Sequence, residues 1–110
     1  MTQLVLYKEA LRLLRDSEAS HLGQFRIKHL NYGVYHFNGL CGLLTFICDE
    51  NSIDDVALDI FKLHSEDITG RELNWKLFWF TTVDTNAVLA KQERIEHLEK
   101  IIDYYESKGW

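Results

Sequence analysis

The stretch before the C-terminal glycine does most to limit how this chain can fold. From Asn86 to Lys108, residues Val88, Ile95, Leu98, Ile102 and Tyr105 recur at a spacing that keeps them on one side of an α-helix. Asp84 or Thr85 offers a cap at its start and Gly109 a stop at its end, while Glu96 and Lys100 make a favourable exposed pair. At 1.5 Å per residue this helix runs about 34 Å, close to the width of a whole domain of 110 residues. The remaining elements must pack along it, or one end projects and meets a second copy of the chain. The seam is too short for a coiled coil. Homo-oligomerisation is the expectation that follows from its length.

Three further helices are legible. The spacing of Leu4, Tyr7, Leu11 and Leu14 predicts one from Gln3 to Ser17, with Thr2 as its cap. A second follows Asn38, from Gly39 to Asp49, with Leu40, Leu43, Leu44 and Ile47 inward; Gly39 and Gly42 leave room for another backbone beside it. A third runs from Ile53 to His64, where Ser52 and Asp55 make an acidic capping box and Ile53, Val56, Ala57, Ile60 and Phe61 form the apolar face. Residues 18–37 lack a clean period, although Phe25 and Ile27 alternate as in a strand. Residues 72–82 fit a strand through Leu73, Trp75, Leu77 and Trp79, and a helix through Leu73, Leu77 and Phe80. The expected fold is mainly α: a small four-helix single domain over residues 1–110, with an irregular or short-hairpin segment between helices 1 and 2 and a long C-terminal helix.

With 46% hydrophobic and 26% charged residues, the composition is that of a globular core rather than a disordered chain. Cys41 and Cys48 fall on one helix, which is too rigid to join them, so free thiols are expected. There is no basic-plus-apolar leader, and the near-apolar run from Gly39 to Cys48 is too short to span a bilayer, so the expected location is the cytoplasm.

The net charge of −5 is unevenly spread. Ala19 to Cys48 carries no acid but holds Arg26, Lys28 and three histidines; Asp49 to Glu72 holds eight acids against Lys62 and Arg71. Two local cations are far too few to coat extended nucleic acid.

Chemistry-bearing motifs are sparse. His29, His36, Cys41 and Cys48 lack the paired spacing of a zinc site. A calcium loop opening at Asp49 and Asn51 fails at Asp54, where the turn glycine belongs, and at Ile60, where the bidentate glutamate belongs. Ser20 with His21, or Cys41 with His36, lacks any local signature of nucleophilic catalysis, and no glycine-rich phosphate loop or cofactor motif occurs. Binding is therefore expected rather than catalysis. The segment from Phe25 to Asn38 mixes cations, imidazoles and aromatic rings, a chemistry that holds a phosphate and covers a base. Arg26, Lys28, His29, Tyr32, Tyr35 and His36 are the candidate contacts for a nucleotide-type small molecule, with Trp79 and Arg94 joining from packed helices. This requires those cations to point outward. A second candidate surface, for a host protein, combines Trp75 and Phe78 with the acidic Asp54, Asp55 and Asp59.

Gly39-Leu40-Cys41 opening an apolar helix, Phe78-Trp79-Phe80, and Arg94-Ile95-x-x-Leu98 on a terminal helix together resemble a diffuse group of short, uncharacterised tailed-phage accessory proteins, over roughly the C-terminal two-thirds of the chain. The resemblance implies a setting in the host bacterial cytoplasm. There, proteins of this kind modify host physiology or blunt defence by binding, either trapping a nucleotide-derived signal between subunits or occluding a host protein.

Overall fold

A computed structural model describes residues 2–19, 24–29, 33–79 and 87–110. In chain order the elements are α1 (Gln3–Asp16), β1 (Glu18–Ala19), β2 (Phe25–His29), β3 (Gly33–Phe37), α2 (Leu40–Glu50), α3 (Val56–Thr69), α4 (Trp75–Phe78) and α5 (Ala87–Ser107). The architecture is mainly helical, with one small antiparallel sheet in the order β1-β2-β3. No helix among the described residues is long and apolar enough to cross a membrane.

The frame is an antiparallel pair of helices. α1 buries Leu4, Leu6, Tyr7, Ala10, Leu11 and Leu14, its predicted stripe with Leu6 and Ala10 added. It lies along α5, which buries Ala90, Ile95, Leu98, Ile101, Ile102 and Tyr105. Polar contacts fix the register. Lys8 pairs with Glu106 at 2.5 Å and Arg15 with Glu99 at 3.3 Å, while Lys91 Nζ donates to the Arg15 and Ser17 carbonyls at 3.0 and 2.6 Å. The two ion pairs step along α1 and back along α5 by two helical turns. The long helix is thus flanked rather than projecting.

Val88, assigned above to the buried stripe, is instead 69% exposed, because the inward line runs through Ala90 and Arg94. The caps proposed at Asp84 and Thr85 lie outside the described residues. Gly109 does end the helix: its φ of +86° turns the chain so that Trp110 N–H donates to the Tyr105 carbonyl at 3.2 Å.

The described residues between 18 and 37 form strands at 18–19, 25–29 and 33–37. Phe25 pairs with Phe37 and Ile27 with Tyr35 across the β2–β3 ladder, and β1 adds to the far side of β2 through Glu18–Arg26 and Ala19–Phe25. α2 starts one residue later than its sequence suggests, with Gly39 rather than Asn38 at the cap position. α3 starts at Val56, not Ile53. Asp54, not a Ser52–Asp55 box, accepts from the Val56 N–H at 2.9 Å, and Ser52 sits at φ +53°. Ala57 and Phe61 of its predicted face are buried, whereas Val56 is exposed. The ambiguous stretch 72–82 becomes a single helical turn at 75–78, capped by Asn74 Oδ1 accepting from Lys76 N at 3.0 Å; residues 80–82 lie outside the described set. Both cysteines are free, Cys48 buried and Cys41 half-buried.

Gly39 joins α4 to α2. A Cβ built there would meet the Phe78 carbonyl oxygen at 2.6 Å and the Trp79 carbonyl carbon at 2.9 Å, backbone atoms that cannot swing aside. Gly39→Ala is expected to cost about 2 kcal/mol through overpacking, read as a fall of roughly 10 °C in Tm. An unchanged melting curve would show that α4 does not pack on this glycine.

Candidate functional site

The strand period of two divides the cationic-aromatic segment between opposite faces. Phe25, Ile27 and Phe37 are buried, whereas Arg26, Lys28, Val34 and His36 are exposed on the other side. Tyr35 lies with the inward set, half-buried and stacked on Phe46 at 4.3 Å; burial, then the nearby Asp49 charge and Cys41, raises its hydroxyl above the usual tyrosine value. Arg26 is held by Glu18 at 2.8 Å. Tyr32 lies outside the described residues, as does the side chain of His29. Of the predicted contacts, then, Arg26, Lys28 and His36 share a surface, and the Tyr35 ring does not reach it.

A cleft of about 640 Å³ opens between α1, α2 and the hairpin. Arg26 and Lys28 line it, with Arg12 of α1, but so do Glu9, Asp16, Glu18 and Glu50. Arg12 is engaged by Glu9, through Nε at 3.0 Å and Nη2 at 2.5 Å, with Asp16 at 3.7 Å. Acids outnumber bases on this lining, so it carries no net positive field to draw in a polyphosphate.

Arg94, expected as a ligand contact, is a core residue instead. It is 2% exposed, with Nη1 donating to the Ala90 carbonyl at 2.9 Å, Nη2 donating to the Lys76 carbonyl, and the guanidinium 5.6 Å from the Phe25 ring centre. Its Nε has no hydrogen-bond partner among the described residues. Burial lowers its pKa to about 10, with a small opposing effect from Glu93.

The second candidate surface is assembled in part. Phe78 is buried and stacked on Phe61 at 5.8 Å, so it belongs to the core rather than to an interface. The Trp75 side chain lies outside the described residues. Trp79, proposed above for the nucleotide site, stands here: it is 46% exposed and packs edge-on to Phe78 at 5.1 Å. Lys62 of α3 links it to the acidic helix, with Nζ 3.8 Å from Asp59, 5.1 Å from the Phe78 ring centre and 5.9 Å from that of Trp79. Asp54, Asp55 and Asp59 are exposed, as are Val56 and Leu63 on the same helix.

Two polar pairs were not anticipated from the sequence. Gln3 Nε2 donates to the Ala57 carbonyl and to Tyr7 Oη, both at 2.8 Å. Tyr7 Oη and His64 Nδ1 lie 2.9 Å apart, within hydrogen-bond distance. Burial lowers the His64 pKa. Deeper in, Ser65 Oγ and His97 Nε2 lie 2.9 Å apart. A serine hydroxyl beside an imidazole has the form of a nucleophile and base, but Ser65 is wholly buried and cannot meet a substrate. The signal for both pairs was a histidine inside a helical apolar stripe. No group of three or more metal-ligating side chains occurs among the described residues. Ser20 and His21 lie outside them, and no hydrogen bond between Cys41 and His36 occurs among the described residues.

Burial, with a smaller effect from Lys100, lowers the His97 pKa from 6.5 to about 4. Above pH 6.5 the ring is neutral in folded and unfolded chains alike, and the fold keeps its full stability. Between 6.5 and 4 only the unfolded chain takes up the proton, so stability falls with pH and levels off below 4, a loss of roughly 2–3 kcal/mol. Urea unfolding of wild type and His97→Gln at pH 7 and pH 4 measures this. The variant is expected to lose less stability on acidification, and parallel losses would contradict a neutral buried ring.

Comparison with protein-family models, with curated proteins and with solved structures finds no match to this chain.

Proposed function

We propose that this protein is a non-catalytic adaptor or inhibitor that docks a basic, apolar-anchored segment of another protein on the face where α3 meets α4. The observation that carries this reading is Trp79, a large ring left 46% exposed beside an acidic helix. Exposed aromatic rings on rigid supports make strong anchors, because burying them gains area at little entropic cost. Trp79 has such a support: its backbone is pinned against Gly39, and its ring is packed on Phe78 beside Lys62. Asp54, Asp55 and Asp59 supply the surrounding negative field, and Lys62 is already engaged with Asp59. Val56 and Leu63 extend the apolar contact along α3. In the setting that the phage resemblance suggests, the partner is a host protein in the bacterial cytoplasm.

The nucleotide-signal reading retains one favourable observation: Arg26 and Lys28 both line the cleft between α1, α2 and the hairpin. The carboxylates around them count against an oligophosphate, so the docking reading ranks first.

Affinity capture from bacterial lysate, comparing wild type, Trp79→Ala and Asp54→Asn/Asp55→Asn/Asp59→Asn, tests the proposal. A stoichiometric partner is expected with the wild type. Trp79→Ala should weaken it by roughly thirtyfold or more, as for an interface anchor, and the charge variant should chiefly slow association and remove its salt dependence. Equal recovery by all three proteins would overturn the reading.

A further inference from the structure

β3 is an edge of the sheet. In the order β1-β2-β3 it pairs with β2 from Phe37–Phe25 to Gly33–His29, and no other backbone hydrogen bond reaches it among the described residues. Backbone groups along its outer side are therefore open, and an open edge is a template for another strand. Edge strands are ordinarily guarded by a lysine, a proline, a bulge or great brevity. Gly33-Val34-Tyr35-His36-Phe37 contains no proline, lysine, arginine or carboxylate. Its ladder with β2 runs in unbroken register, so no bulge turns the edge away. The opposite edge differs, since β1 is two residues long and presents the exposed Glu18.

The same strand is its own complement. Val34, 51% exposed, and His36 stand on the outer face, while Tyr35 is half-buried on the inner face against Phe46. An antiparallel copy must set inner residues against inner residues, because a slip of one residue would turn its apolar set outward. Under that constraint the register that pairs all five residues is the symmetric one. Tyr35 then faces the partner's Tyr35, Val34 faces the partner's His36, and Gly33 faces the partner's Phe37. No carboxylate, lysine or arginine is brought against its like along the ladder, and the two half-buried tyrosine rings cover one another, a favourable cross-strand pair.

We infer that β3 is a self-association edge: two copies of this chain join β3 to β3, antiparallel and centred on Tyr35, into one continuous sheet. The edge shares no residue with the proposed docking face on α3 and α4.

Sedimentation equilibrium of the full chain tests it. A short strand pair makes a small, transient interface, so dimerisation is expected within about 10–500 µM. Positions 34 and 36 lie opposite Lys28 and Arg26 within the chain. Val34→Glu/His36→Glu therefore suits its own hairpin, yet it sets carboxylate against carboxylate twice across the dimer axis, and it should weaken association about tenfold or more. Val34→Glu/His36→Lys places opposite charges at the same two contacts and should associate within about threefold of the wild type. Trp79→Ala should leave association unchanged, which separates this edge from the docking face. Amide exchange on the wild type alone gives a second measure that needs no variant to fold: protection of the β3 amides should rise with concentration, while that of α3 should not. A wild type that stays monomeric across this range, equal association of the two double variants, or β3 protection independent of concentration would each overturn the inference.

Discussion

A permanent cation sits at the junction of this fold. Arg94 reaches from α5 to the carbonyl of Lys76 in α4 and lies over the Phe25 ring of β2, so one side chain links the long helix, the single-turn helix and the sheet. Burying a guanidinium without a carboxylate is costly, and its depressed pKa reflects that cost. Two backbone carbonyls and an aromatic face offset part of it. Its reach also orients α4. With Arg94 gripping one end of that turn and Gly39 admitting the other against α2, the segment has little freedom, and Trp79 is carried to the surface beside α3.

Helices α1 and α5 were legible because their apolar positions repeat often enough to outvote individual exceptions. Leu4, Tyr7, Leu11 and Leu14 needed no tertiary information, nor did Ile95, Leu98, Ile102 and Tyr105. Val88 was misassigned for a reason that also concealed Arg94 and His97. The true inward line of α5 passes through Ala90, Arg94 and His97, and two of those are polar. A pattern search that scores only apolar residues breaks there and slides to the next valine. The hairpin was only half visible. Phe25 and Ile27 alternate too briefly to specify a strand, and the pairing with Phe37 and Tyr35 that stabilises it is a tertiary fact.

The candidate sites show the same division. Proximity in sequence suggested that Arg26, Lys28, Tyr35 and His36 act together, yet consecutive strand residues face opposite ways, and β1 brought Glu18 to Arg26 from outside the acid-free stretch. Conversely, Asp59 and Trp79, distant in sequence, are neighbours through Lys62. Residue type indicated which chemistry was available. Only the three-dimensional pairing determined which groups remained uncommitted.

The antiparallel register of α1 and α5 has a consequence for synthesis. Residues 17–86 separate the two helices, so a nascent chain emerging from the ribosome carries the part of α1's oily side that α5 covers exposed until α5 is made. During that interval the leucines at positions 4, 6, 11 and 14 are a sticky surface, and cellular holdases recognise such surfaces. The order in which the chain is made, as much as the finished architecture, sets how exposed this protein is to misassembly.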